Sequence, residues 1–244
     1  MPKSDVFCAD CLPAMREYPD GYFDLAVVDP PYGINADKFK NGAGAKDHPQ
    51  GSTSSNLAKG RLNSGGGKLK DRVLNKSDCG WDRFPPTEEY FNELFRISKN
   101  QVIWGGNYFD LPPTRGIVVW DKMQPWENFS QVEMAWTSFD KPAALFKYCN
   151  AGGASGTQKI HPCQKPVELY HWIYQHYAKP GDKILDTHMG SQSSRIAAYD
   201  AGLDYTGYEI NETYFKLGCE RFERHTAQMN LFIDDFAEQE EIHT

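Results

Sequence analysis

Apolar residues recur along the chain with two periods, and the places where one gives way to the other mark its elements. Phe23-Asp24-Leu25-Ala26-Val27-Val28 is apolar at all but one position, the pattern of a strand covered on both faces of a parallel sheet. Val6-Phe7-Cys8-Ala9, Gln101-Val102-Ile103-Trp104, Gly116-Ile117-Val118-Val119-Trp120, Lys183-Ile184-Leu185-Asp186 and Tyr205-Thr206-Gly207-Tyr208-Glu209 read as further strands. Residues Glu133 to Phe139 alternate like a half-exposed strand. Helical spacing governs Tyr90, Phe91, Leu94 and Phe95, behind Thr87 as N-cap. Helices are also expected from Pro13 to Tyr18, from the His161 segment through Tyr177, and from Arg195 to Ala201. Strands alternating with helices predict an α/β fold, with a mixed, mostly parallel sheet and helices on both faces.

From Gly33 to about Gly80 the periodicity vanishes and Gly and Ser cluster, as in Gly51-Ser52-Thr53-Ser54-Ser55 and Ser64-Gly65-Gly66-Gly67. With 244 residues the expectation is one domain, 1–244, carrying an insertion at about 35–80. The net charge of −7 argues against a nucleic-acid partner until its distribution is considered. Residues 36–80 hold nine Lys/Arg against four Asp, whereas 231–244 hold five acids and no Lys or Arg. A basic, structureless stretch of this length suits phosphate contact, with Lys38, Lys40, Lys59, Arg61, Lys68, Lys70 and Arg72 as the candidate residues. No apolar run reaches 18 residues and the first residues lack a signal-peptide core, so a soluble, cytoplasmic protein without membrane contact is expected. Six cysteines form no disulfide framework, and Cys8-x-x-Cys11 has no second ligand pair at zinc spacing, so no metal is expected.

The chemistry concentrates where strands end. Asp29-Pro30-Pro31-Tyr32 follows the most apolar strand, on the rim where open α/β sheets bind ligands. Prolines lack an N–H, so Pro30 and Pro31 offer carbonyl acceptors only. With the Asp29 carboxylate they suit a group bearing two N–H donors, such as an exocyclic amine. Tyr32 adds a flat face for a base, a contact worth ~1–3 kcal/mol. A Pro-Pro pair is also an ordinary strand exit, and an Asp there an ordinary helix cap. The rest of the chain favours the chemical reading. Asp10, Asp29, Asp186 and Glu209 all close predicted strands, and Glu209 stands 23 residues after Asp186, near the ~20-residue spacing that places an acid on a ribose. The intervening loop, Thr187-His188-Met189-Gly190-Ser191-Gln192-Ser193-Ser194, has one glycine and no dinucleotide fingerprint. It supports a pyrophosphate poorly and a nucleoside without phosphates better. Acids at strand ends suit hydroxyls, amines and positive charge, and S-adenosylmethionine carries all three.

Taken together, these residues resemble the amino-methylating DNA methyltransferases, adenine-N6 or cytosine-N4, of the beta motif order, in which the catalytic motif precedes the cofactor motif. Asp29, Pro30, Pro31 and Tyr32 match the catalytic motif. His161-Pro162-x-Gln164-Lys165-Pro166 is similar to the segment before the cofactor strand. Leu185-Asp186-x-x-x-Gly190-Ser191-x-Ser193-Ser194 is similar to the cofactor loop, Glu209 to the ribose-binding acid, and Asp10 to the residue that meets adenine. The resemblance implies a Rossmann-like methyltransferase fold. It further implies cofactor contacts from Asp10, Cys11, Asp29, His161, Gln164, Lys165, Asp186, Gly190, Ser191, Ser193, Glu209 and Ile210. Two departures stand out: the family usually has a second glycine where Gln192 stands, and an aromatic in place of His188.

What the resemblance implies chemically is in-line transfer of a methyl from S-adenosylmethionine to a base flipped out of double-stranded DNA. Adenine N6 is the expected acceptor, because relatives opening the motif with Asp mostly modify adenine; cytosine N4 is the alternative. A degenerate relative that binds DNA with little catalysis is a rival, and a nicotinamide dehydrogenase would leave Asp29-Pro30-Pro31-Tyr32 unexplained. The resemblance also makes a homodimer and a cognate restriction endonuclease candidate partners.

Overall fold

The computed structural model describes residues 2–34, 82, 84–123, 130–149 and 159–241, with side chains as far as 228. The basic stretch, with Lys38, Lys40, Lys59, Arg61, Lys68, Lys70 and Arg72, lies outside the described residues.

The elements in chain order are β1 (Ser4–Phe7), α1 (Cys11–Glu17), β2 (Phe23–Val28), α2 (Glu88–Ile97), β3 (Ser98–Trp104), β4 (Ile117–Asp121), β5 (Val132–Thr137), β6 (Ala144–Lys147), α3 (Val167–Tyr177), β7 (Lys183–Asp186), α4 (Ser193–Asp200), β8 (Asp204–Tyr208) and α5 (Glu212–Glu241). The strands form one eight-stranded sheet in the order β1-β8-β7-β2-β3-β5-β4-β6. Pairing is parallel except where β5 lies between β3 and β4. The expected α/β class, mostly parallel sheet and two helical layers are all present.

Alternation along the central strands assigns the two faces. Leu25 and Val27 of β2, Val102 and Trp104 of β3 and Ile184 of β7 pack with Leu169 and Ile173 of α3 and with Ala197 and Ala198 of α4. Their neighbours Ala26, Val28, Ile103 and Leu185 point to the other face, against Met15 of α1 and Leu94 and Ile97 of α2. Each fully buried large side chain contributes about 1.5–3 kcal/mol.

Several boundaries shift for local reasons. Helix α1 begins at Cys11 rather than Pro13, because Asp10 caps it by accepting from Leu12 N at 3.0 Å. Strand β1 lies two residues earlier than its apolar run, at the register where Ser4 and Phe7 face Tyr205 and Tyr208. The His161 segment is not helical until Val167, since Pro166 is the N-cap. Two elements escaped the sequence pattern. Strand β6 is four residues at the sheet edge with every second residue exposed. Helix α5 buries the narrow stripe Tyr214, Gly218 and Phe222, which a glycine at its centre disguises.

One arginine ties the α1–β2 connection to α2. Arg96 Nη1 donates to Tyr18 O at 2.8 Å and Asp20 Oδ1 at 2.7 Å, while Nη2 reaches Met15 O at 3.1 Å and Glu93 Oε2 at 2.7 Å. It thereby satisfies carbonyls that the end of α1 leaves open. Arg96→Ala is expected to destabilise the fold, mostly through those carbonyls rather than the exposed Asp20 pair. Thermal melts read this as a fall in melting temperature. Arg96→Lys should recover less than half of it, because an ammonium cannot fork across two carbonyls.

Candidate active site

Strands β1, β8, β7 and β2 are adjacent and parallel, so their carboxyl ends share one rim. Asp10, Glu209, Asp186 and Asp29 stand there in that order, each in a different environment. Asp10 is exposed and caps α1. Glu209 is buried; Oε2 accepts from Gly190 N at 3.0 Å and Oε1 from Asn211 N at 2.8 Å. Burial nevertheless lifts its pKa above the usual carboxylate value.

A cavity beside these acids is lined by Ala9, Asp10, Cys11, Thr187, His188, Glu209 and Ile210. Four of the twelve sequence-predicted cofactor residues, Asp10, Cys11, Glu209 and Ile210, stand in its wall, and the other eight fall outside it. Ile210 is an exposed apolar side chain at the mouth, and Cys11 is buried, its thiol pushed up to about 12 chiefly by burial. His188 replaces the expected aromatic. Its Nδ1 pairs with Thr187 Oγ1 at 2.9 Å, Thr187 Oγ1 with Tyr90 Oη at 2.6 Å, and burial holds the imidazole neutral with a pKa of about 4.

Asp186 does not line the cavity. Its Oδ1 accepts from His188 N at 3.0 Å, and Oδ2 accepts from Ser194 Oγ at 2.5 Å and Tyr205 Oη at 3.3 Å. It organises the loop from beneath. Gly190 and Gln192 have positive φ, 47° and 58°. A Cβ on Gly190 would stand 3.4 Å from the His161 ring, so His161 packs over the loop, itself edge-on to Tyr214 at 4.4 Å. Burial holds His161 neutral, at about 3. Gln164 closes its own turn, with Oε1 accepting from Ile160 N at 2.9 Å.

Gln192 is fully buried in the left-handed region, which costs a non-glycine residue about 1–2 kcal/mol. Its side chain turns into α5. Nε2 donates to Phe215 O at 3.2 Å, Oε1 accepts from Arg195 Nη1 at 2.9 Å, and Gly218 leaves it room. Arg221 of α5 supports the same loop, reaching Ser191 O at 2.8 Å and Ser193 Oγ at 2.9 Å. Arg221 belonged to no recognised motif; only the docking of α5 brings it here.

The Asp29 end of the rim is organised by charge. Tyr32 Oη donates to Asp29 Oδ1 at 2.7 Å, and Lys165 Nζ forms an ion pair with Asp29 Oδ2. Lys165, grouped by sequence with the cofactor residues, thus sits on the catalytic-motif carboxylate. It also lies 3.2 Å from Glu133 Oε2, and Glu133 pairs in turn with Lys122. Burial disfavours charge on Lys165, but Asp29 and Glu133 outweigh it and hold the ammonium well above the usual lysine range. Burial likewise raises Glu133, but Lys165 and Lys122 outweigh it and hold the carboxyl at about 2. Neither Glu133 nor Lys122 was predicted, because their strands pair through register that the sequence does not display: Trp120 faces Glu133.

Pro30 is buried and Pro31 half-buried. Tyr108 stacks on the Tyr32 ring at 4.9 Å with a 13° tilt, and Phe109 meets it edge-on at 6.1 Å. Gly105 has φ 70°, and a Cβ there would stand 2.2 Å from Tyr32 Cε1, so only glycine admits the ring. Tyr108 is half exposed, which leaves the aromatic stack open to solvent on one side.

The rim of this open α/β sheet thus holds a cavity walled by residues following β1, β7 and β8 and, at the end of β2, the Asp29 carboxylate. The chain matches the DNA methylase family model N6_N4_Mtase over residues 101–220. It is 38% identical over 63 residues to the DNA adenine methyltransferase YhdJ of Escherichia coli (strain K12), covering 26% of this chain and 21% of that one. It is 24% identical over 152 residues to the type II methyltransferase M2.DpnII of Streptococcus pneumoniae, covering 62% of this chain and 52% of that one. The matches thus span about a fifth and about half of the length of these curated relatives. In fold the chain is similar to M1.HpyAVI, solved as its complex with S-adenosylmethionine, with a TM-score of 0.53 at 16% identity over 89% of this chain and 98% of that one.

Burial pushes the Asp186 carboxyl up to about 7 from 3.8, against the hydrogen bonds it accepts. Its folded state therefore binds the extra proton between those values. The stability this contributes is present below about pH 4 and is lost as pH rises through about 7. Subtracting the melting temperatures of Asp186→Asn from those of wild type isolates the effect. The difference should become more unfavourable to wild type between about pH 5 and about pH 8.

Proposed function

We propose that this protein methylates DNA at an exocyclic amine, adenine N6, using S-adenosylmethionine. The observation that carries the reading is the Asp29 carboxylate, held in place by Tyr32 and Lys165 one strand away from a cavity walled by Asp10, Glu209 and Ile210. The cavity residues fit the cofactor: Glu209 for ribose hydroxyls, Asp10 for an amine, Cys11 and Ile210 for an adenine face. The buried side chain of Gln192 turns away into α5, so the departure from glycine does not fill the cofactor side of the loop. When bound, the cofactor supplies a methyl group on a sulfonium.

The protein's part is alignment and charge. An adenine amine is a poor nucleophile because its lone pair is delocalised into the ring. Asp29 and the Pro30 carbonyl accept its two N–H bonds, letting the nitrogen pyramidalise and aim its lone pair. Positive charge then grows on nitrogen beside a carboxylate that Lys165 and Tyr32 hold in place. Tyr32 and the half-exposed Tyr108 supply faces for the extruded base. The basic stretch around Lys59 to Arg72 supplies phosphate contacts, and DNA affinity should fall steeply with salt.

Product analysis tests the reading. Unmethylated duplex DNA of mixed sequence is incubated with protein and S-adenosylmethionine, digested to nucleosides and weighed. N6-methyladenine is expected, reduced about 10²–10³-fold by Asp29→Ala. N4-methylcytosine would keep the mechanism and change the acceptor; no methylated nucleoside would refute the activity.

A further inference from the structure

The ammonium of Lys165 occupies an unusual place for a group outside the catalytic motif. It is buried, paired with Asp29 Oδ2, 3.2 Å from Glu133 Oε2 and 3.5 Å from Tyr32 Oη, with the Trp104 ring centroid 5.2 Å away. A donor nitrogen on Asp29 beside Tyr32 is also what the proposed function asks of the target amine. Both cannot use that oxygen equally well. As the methyl transfers, the target nitrogen becomes cationic, and an ammonium left on the same carboxylate would oppose the charge. Glu133 resolves the conflict, because it is a second carboxylate already within reach of the same ammonium, with its other oxygen held by Lys122.

Building on that function, we propose that Lys165 is a stand-in for the target amine: it holds Asp29 until the base arrives and then withdraws onto Glu133. Lys165 and Glu133 are positioning residues, acting through Asp29. The ammonium solves the problem of the empty site, where the partly buried Asp29 carboxylate would otherwise lose the partner it has in Lys165. Glu133 solves the problem of the filled site, giving the displaced ammonium a partner without a trip into solvent. Lys122 keeps the set of two carboxylates and two ammoniums neutral throughout.

Charge arithmetic makes the test specific. Glu133→Gln leaves the ammonium nowhere to go but Asp29. The single-turnover rate of methyl transfer, at saturating DNA and cofactor, should fall roughly 10–100-fold. Glu133→Gln with Lys165→Met removes the competitor and should run about tenfold faster than Glu133→Gln alone. Glu133→Gln with Lys122→Met restores neutrality equally but leaves Lys165 on Asp29, and should stay slow. Equal rescue by both double variants would reduce the effect to charge balance and overturn the exchange, as would rescue by neither. A readout independent of turnover uses wild-type protein with ¹³Cε-labelled lysine, the Lys165 signal assigned through Lys165→Arg. Saturating adenosine or cytidine, with S-adenosylmethionine present, should move that signal in wild type and not in Glu133→Gln. A signal that stays in place with both nucleosides sinks the exchange. Absence of methyl incorporation by wild type would sink the proposed function instead, leaving the labelled-lysine result to decide the exchange.

Discussion

Parallel pairing of β1, β8, β7 and β2 is the constraint on which the site depends. Four strands running the same way deliver four chain exits to one edge, and each exit carries an acid. Reversing any one would move its carboxylate to the opposite edge, roughly 13–20 Å away for strands of four to six residues. Parallel pairing requires a crossover between strands, and the helices that make the crossovers are those that bury the two sheet faces. The hydrophobic packing and the chemistry are therefore consequences of the same topology.

Gathering acids on one rim has an electrostatic cost, and the protein meets it differently at each position. Asp10 stays in water and spends one oxygen on a helix cap. Glu209 takes two backbone N–H groups. Asp186 is enclosed among hydroxyls, yet burial still drives its carboxyl to about 7. Among the described residues, Asp29 alone of the four receives a cation, from Lys165, and with it a link to Glu133 and Lys122. Removing an ion from water costs several kcal/mol, so a chain of alternating charges is a way to keep carboxylates ionised in a half-dry place. The four acids thus differ in readiness to accept a donor, although the sequence presents them alike.

The loop between β7 and α4 shows how a departure from a motif is accommodated. Gln192 accepts an unfavourable backbone conformation and offsets it with hydrogen bonds to α5 and Arg195, each worth about 0.5–1.5 kcal/mol. Gly218 is the matching concession on α5, since any side chain there would collide with Gln192. Arg221 fastens the next turn to Ser191 and Ser193. The loop is shaped as much by a helix that follows it as by its own residues.

The elements most legible in the chain were those whose signal is local. Phe23–Val28 and Lys183–Asp186 form strands over the residues their apolar runs span, and Thr87 caps the helix that its spacing announces. Motif order and strand-end acids were enough to point to the family whose model matches residues 101–220. Strand β6 and helix α5 carried signals too short or too narrow, and the basic stretch lies outside the described residues. Partnerships were not legible at all. Glu133 and Lys122 look like ordinary residues at strand ends, Arg221 like a helix-surface cation, and Lys165 like a neighbour of the cofactor. A linear chain specifies which side chains exist and which face of a strand each will take, because those depend on periods of two and 3.6 residues. Which charge ends beside which carboxylate depends on strand order and register, and those are decided only when distant segments pack.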